Sequence, residues 1–228
     1  MTVDLEQLAR QAGRELESAP AQEIVRWAVQ TFGARLAVAS SMQDAVLVHL
    51  VSQVAAGIDV LFVDTGYHFA ETLGTRDAVA TVYDVNLITL RPRQTVAAQD
   101  ATHGPQLHDR DPDLCCALRK VAPLDRALAC YDAWATGLRR AEAPGRAGTP
   151  VVSYDAQRGK VKIAPIAAWT DTDVDDYITA HAILTNPLRS AGYPSIGCFP
   201  CTRAVASEDD PRAGRWAGLA KTECGIHT

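Results

Sequence analysis

Short apolar runs alternate with amphipathic stretches along this chain, and that alternation limits its fold more than any other feature. "RLAVASS" (35–41) ends in small polar residues and reads as a buried strand. "QDAVLVHLVSQVA" (43–55) follows with helical spacing. "DVLFVDTG" (59–66) is a second strand with a turn at its carboxyl end, "HFAETLGTRDAVATVY" (68–83) the next helix, and Val85–Leu90 a third strand. Strands joined through helices pair in parallel, because the chain must cross over before it can re-enter the sheet. The expectation is an α/β fold: an open, mostly parallel twisted sheet with helices on both faces.

The flanking regions fill in this outline. Leu5–Leu16 and Gln22–Phe32 carry helical spacing, and 92–112 is polar and expected to loop out. "DLCCALRKVAPLDRALA" (113–129) reads as a helix broken near Pro123, and "DAWATGLRR" (132–140) as a strand ending at Gly137. "VVSYDAQRGKVKIAPI" (151–166) reads as a hairpin or two edge strands turning at Gln157-Arg158-Gly159. In "TDTDVDDYITAHA" (170–182) Thr170 or Thr172 can cap a helix whose first-turn aspartates suit the dipole. Beyond Asn186-Pro187 periodicity fades and Gly, Pro, Arg and Cys accumulate. The chain thus divides into an α/β unit, 1–202, and a C-terminal segment, 203–228.

Composition excludes several function classes. Of 228 residues, 47% are hydrophobic and 21% charged, yet no apolar run reaches the roughly 18 residues of a membrane span. The N-terminus lacks the apolar core of a signal peptide, so the expected compartment is the cytoplasm. Six cysteines in a reducing compartment point to metal binding or catalysis before disulfides. The net charge of −5 and the lack of a basic stripe argue against nucleic acid as a partner. Positive charge gathers locally instead, at Arg139-Arg140, Arg189, Arg203, Arg212, Arg215 and Lys221, as a small anionic ligand would require.

Four groups of residues carry candidate chemistry. The first is Cys115-Cys116 with Cys198-x-x-Cys201. A CxxC turn brings two sulfurs to one ion or cluster. Adjacent side chains on a helix diverge by about 100°, so Cys115 and Cys116 suit separate corners of a [4Fe–4S] cluster better than one zinc ion; the plain alternative is two buried packing residues. The second is Ser40-Ser41-Met42-Gln43-Asp44, between strand and helix, either an anion cradle or a helix cap. The third is "DDPRAGRWAG" (209–218), where a helical turn would align Arg212 with Arg215 to grip phosphate or sulfate, unless both lie on a solvated face. The fourth is Cys224, flanked by Lys221 and His227, a candidate nucleophile because cationic neighbours favour thiolate. Cys130 reads as a buried structural thiol. In an open α/β sheet, Ser40-Ser41, Asp64-Thr65-Gly66 and Gly137–Arg140 all fall at carboxyl strand ends and would meet in one crevice.

From about Ala21 to His227 the chain resembles the assimilatory adenosine 5′-phosphosulfate (APS) reductases, through "CCALRKVAPL", "TGLRR", "GCFPCTR", "DDPRAGRW" and "KTECGIH" taken together. The resemblance implies an adenine nucleotide α-hydrolase-like fold related to the ATP pyrophosphatases. It implies a [4Fe–4S] cluster on Cys115, Cys116, Cys198 and Cys201, with Cys224 as the nucleophile of a C-terminal catalytic tail. Lys120 matches a lysine between cluster and substrate. Arg212, Arg215 and His227 match residues that close on sulfate and phosphate, while Ser40, Ser41, Asp64, Arg139 and Arg140 fall where the nucleotide is held. The implied reaction yields sulfite and AMP at the expense of thioredoxin, in sulfate assimilation.

One departure from the ATP pyrophosphatases bears on substrate. Their Ser-Gly-Gly-x-Asp-Ser loop is here Ser40-Ser41-Met42-Gln43-Asp44-Ala45. Without those glycines the backbone wraps a pyrophosphate less closely. The four cluster cysteines favour APS over its 3′-phosphorylated analogue (PAPS), whose reductases commonly lack them. The rival readings are a PAPS reductase, an ATP pyrophosphatase with a structural metal, and a nucleotide-binding redox sensor in which Cys224 is dispensable.

Overall fold

The computed structural model describes residues 4–206 and 210–227. Helix α1 (Leu5–Glu15) starts where the Asp4 carboxylate accepts the Glu6 and Gln7 backbone N–H groups, both at 3.1 Å. Then come α2 (Ala21–Phe32), β1 (Leu36–Ala39), α3 (Val46–Ser52), β2 (Ile58–Val63), α4 (Ala70–Val82) and β3 (Val85–Leu90). Helix α3 is shorter than its apolar pattern suggests. Residues 40–45 are held in a loop instead, and Asp44 pairs across to Thr185.

The polar stretch 92–112 does not loop out. It forms α5 (Val96–His103) and the single turn α6 (Leu107–Arg110). Thr95 caps α5 by accepting the Ala98 N–H at 3.1 Å. Its inward residue is Gln99, 1% exposed, whose amide oxygen accepts a bond from Arg119 at 3.1 Å. A helix anchored by a buried amide carries no apolar stripe to read.

Next, α7 (Pro112–Cys116) runs through a π-turn (Ala117–Val121) into α8 (Ala122–Leu128). Pro123 lacks an N–H and its ring crowds the carbonyl four residues back. The wider turn absorbs that conflict, so the helix is adjusted where a break was expected. The remaining elements are β4 (Ala133–Thr136), β5 (Val152–Asp155), β6 (Lys160–Ile163) and α9 (Asp171–His181). Thr170 caps α9, and Asp173 returns the bond to the Thr170 N–H at 2.7 Å.

The six strands lie in the order β3-β2-β1-β4-β6-β5, parallel throughout except for the β5 edge. Alternate residues serve opposite faces. Val38, Val60, Phe62 and Ala135 enter the larger core with α1–α4 and α9, whereas Ala37, Leu61 and Trp134 face α8. That second core is completed by Ile226, from the C-terminal segment. The connections run outward in opposite directions from β1 and β4, which makes their carboxyl ends the switch point where an open α/β sheet has its crevice.

Candidate active site

A cavity of about 430 Å³ opens at that switch point. Ser40 and Ser41 reach it from β1, Thr65 from β2, and Gly137, Leu138 and Arg139 from β4. The Ser40–Asp44 loop is pinned by Asn186, which donates from Nδ2 to the Met42 carbonyl at 3.2 Å and from its backbone to the Gln43 carbonyl at 3.0 Å. Met42 holds φ at +61°, a left-handed conformation that favours glycine, and its side chain is fully buried. Burial pushes the Asp44 carboxyl up, while its Oδ1 accepts the Val46 N–H at 3.1 Å.

Two expected nucleotide contacts do not reach the cavity. Asp64 turns back to its own strand end, accepting the Gly66 N–H at 3.0 Å and facing Arg91 at 3.6 Å. Arg140 points the other way, donating to the Thr149 carbonyl at 2.7 Å and pairing with Glu17. Adjacent residues of an extended backbone face opposite sides, so Arg139 takes the cavity wall, bonded to Asp171 at 2.7 Å.

The cationic end of the cavity lies under the C-terminal segment. Arg212 and Arg215 both reach Ser195 Oγ, at 3.5 and 3.2 Å. A tight turn aligns them instead of a helix, with the Arg215 N–H donating to the Arg212 carbonyl at 2.8 Å. The Arg215 guanidinium lies 4.5 Å from the Trp216 ring, and its buried Nε has no hydrogen-bond partner. A Cβ on Gly197 would overlap that guanidinium, so glycine there makes its room. Lys120 and Trp216 border both this cavity and the next one. Burial pulls the Lys120 ammonium down, but the Cys198, Cys224 and Cys116 sulfurs outweigh it and hold the pKa up.

Cys224 is half-buried in the cavity wall, and the chain around it is strapped to the body. Lys221 pairs with Asp113. Arg212 donates to the Thr222 carbonyl at 2.7 Å, Arg158 to that of Ile226 at 3.1 Å, and Lys162 to that of His227 at 3.2 Å. Glu223 takes both arms of Arg146. The His227 ring stacks on Trp134 with centroids 5.8 Å apart, and its Nδ1 is buried without a partner. Asp209 and Thr228, at the margins of the two motifs, lie outside the described residues.

His227 makes the docking of this segment pH-dependent. Burial, with Lys162, Arg146, Arg158 and Arg212 around it, drives its pKa well below 6.5, so it stays neutral while docked. An undocked His227 takes a proton below its ordinary pKa and the docked one does not. Docking is therefore at full strength above that value and weakens as pH falls through it. Hydrogen exchange at residues 222–227, corrected for intrinsic rates, should lose protection between about pH 7.5 and about pH 5.5. His227→Gln should flatten the dependence.

The four remaining candidate cysteines also meet. Cys115, Cys116, Cys198 and Cys201 line one cavity together with Tyr67, Arg119, Lys120 and Trp216. Burial and the neighbouring thiols push Cys115 up to about 12 and Cys201 up to about 11, and raise Cys116 as well. Thr65 Oγ1 lies 3.3 Å from Cys198 Sγ. Four thiols lining one cavity are a donor set suited to a soft metal centre, whose binding would take up the charge that crowding denies the free thiolates. Cys130 is exposed rather than buried, because it sits in the turn after α8 and not on its inner face.

Arg146, Glu223, Ser195, Arg158 and Lys162 had no signal in the sequence. Each lies in a loop or hairpin whose partner is 17 to 77 residues away.

The comparisons with known proteins agree with this geometry. Residues 34–204 match the phosphoadenosine phosphosulfate reductase domain. The chain belongs to that family. Among its relatives, a protein of Streptomyces coelicolor named adenosine 5′-phosphosulfate reductase is 65% identical over 99% of this chain and 96% of its own. One of the same name from Mycolicibacterium smegmatis is 57% identical over 98% and 95%. The phosphate complex of a Candida auris phosphoadenylyl-sulfate reductase superposes with a TM-score of 0.76 at 28% identity, covering 90% of this chain and 99% of that one. A Candida glabrata FMN adenylyltransferase shares only the fold, with a TM-score of 0.57 at 10% identity over 88% of this chain and 74% of its own. This member of the phosphoadenosine phosphosulfate reductase family thus has the adenine nucleotide α-hydrolase-like sheet expected of it.

Proposed function

We propose that this protein reduces APS to sulfite and AMP, with Cys224 as the nucleophile and a dithiol protein of the thioredoxin type as the electron source. The observation that carries this reading is the placement of the Cys224 thiol in one cavity with Lys120, Arg212 and Arg215. Ser40, Ser41 and Arg139 line the rest of the wall, where the nucleotide would lie.

In the proposed reaction the Cys224 thiolate attacks the sulfur of APS. The bond from that sulfur to the bridging oxygen breaks, and AMP leaves with the electron pair. Cys224 then carries the sulfonate as S–SO₃⁻. A thiolate of the dithiol attacks Cys224 Sγ, and sulfite departs with the S–S electron pair. The second thiol of the partner resolves the mixed disulfide and frees Cys224, so two electrons pass from dithiol to sulfate sulfur. Arg212, Arg215 and Lys120 stabilise the charge that grows on the leaving phosphate. His227, neutral while docked, lines the same cavity with its Nδ1 unpartnered, and the docked segment keeps water from the anhydride.

Cys115, Cys116, Cys198 and Cys201 would hold a [4Fe–4S] cluster, which supplies a fixed charge behind Lys120 and braces the α7 turn. Segment 203–228 acts as the part that docks and releases, and 1–202 as the body. The reducing cytoplasm is the setting that keeps the thiols available.

Anaerobically purified protein should be brown and should release sulfite and AMP from APS with reduced thioredoxin. Assayed in parallel, PAPS should be the poorer substrate. Pyrophosphate from ATP, with no sulfite from either sulfonucleotide, would overturn the assignment.

A further inference from the structure

The bonds that strap the C-terminal segment down are not equivalent. Arg212, Arg158 and Lys162 all grip backbone carbonyls. Every residue offers a carbonyl, so such bonds hold the segment down without setting its register. Lys221 is covered, 7% exposed, and meets a single oxygen of Asp113, which is 81% exposed; a one-point contact of this kind holds the segment without fixing its rotation.

Glu223 is different. Arg146 Nε and Nη2 meet its two oxygens at 2.7 and 2.8 Å, a fork-to-fork pair that tolerates neither slippage nor rotation. Both side chains are well covered, 12% exposed for Arg146 and 26% for Glu223. Arg146 belongs to the body, in the loop between β4 and β5, and its third nitrogen is fixed by Glu142. Arg212 stands 3.3 Å from the same Glu223 carboxylate. The residue so clamped directly precedes Cys224.

We infer that the Arg146–Glu223 pair is a positioning latch that sets Cys224 in register within the cavity, and that the segment must release it before a protein dithiol can reach the thiol. The inference rests on the reading of Cys224 as the sulfur nucleophile. Glu223 acts through its neighbour and touches no reacting atom. Glu142 keeps Arg146 compensated when Glu223 is changed, so the body of the protein has no reason to unfold.

The test is alkylation of the cluster-loaded protein by iodoacetamide without substrate, read by peptide mass at Cys224. Exposed Cys130 serves as the internal standard. Glu223→Gln should raise Cys224 labelling relative to Cys130 roughly tenfold, the factor that corresponds to about 1.4 kcal/mol. Arg146→Lys, which keeps the charge but loses the fork, should fall between. Glu142→Gln loosens Arg146 but removes no bond to the segment, so it should raise labelling less than Glu223→Gln does. In a single turnover without dithiol, Glu223→Gln should also form the Cys224 sulfonate more slowly at saturating APS. Wild-type labelling in both latch variants would overturn the inference, as would a Glu142→Gln effect equal to that of Glu223→Gln. Labelling is read without substrate, so it reports on the latch even if an active Cys224→Ser enzyme sinks the nucleophile assignment.

Discussion

Cys224→Ser should yield a folded, brown protein that binds AMP and releases no sulfite from APS. Serine keeps the size of the side chain but replaces sulfur by an oxygen that is almost wholly protonated at neutral pH, so the nucleophile is lost while the cavity is kept. The fold should tolerate the change, since Cys224 is half-buried in a segment held by its neighbours. Incubating the native enzyme with APS and no dithiol should add about 80 Da, one SO₃, to the peptide that contains Cys224, as expected of a covalent intermediate. The serine variant should show no such gain. Sulfite release at the native rate from Cys224→Ser would remove the basis of the mechanism.

Arg215→Gln should have the next largest effect, a loss of about 10²–10³ in kcat, which is about 2.7–4 kcal/mol of barrier. Arg215 lines the cavity, its Nε buried and unpartnered, and another cation, Arg212, already stands within reach of the same Ser195 hydroxyl. Two guanidiniums held together by a neutral hydroxyl repel one another, and an anion between them relieves that repulsion. Glutamine removes the charge where the phosphate departs. Arg215→Lys should rescue little, because an ammonium cannot reproduce the planar fork or its stacking on Trp216. The melting temperature should move only slightly in both variants, since the Arg215 side chain is bonded to one hydroxyl and stacked on one ring face. A kcat within a factor of about three of native would place Arg215 outside the groups that stabilise the transition state.

Much of this was legible in the sequence. The short apolar runs at β1, β2 and β3 and the helices between them required a parallel sheet, and the strand ends at Ser40-Ser41, Asp64–Gly66 and Gly137–Arg140 marked the edge where the cavity opens. The cysteine spacing grouped Cys115, Cys116, Cys198 and Cys201, which do line one cavity. Helix α5 escaped because Gln99 anchors it through an amide, and hydrophobic periodicity is blind to a polar anchor. Asp64 and Arg140 turn away from the cavity, which the sequence does not show, because sequence position locates a strand end but not the direction of each side chain leaving it.

The sequence by itself determined the sheet's class, the edge where the cavity opens and the residue types gathered there, because all three follow from local periodicity and side-chain chemistry. Only the tertiary structure decided that Arg139 and not its neighbour faces the cavity, that Trp216 borders both cavities, and that Arg146 holds Glu223. Those facts depend on pairings between residues far apart in the chain, and such pairings exist only once the core has brought their backbones together.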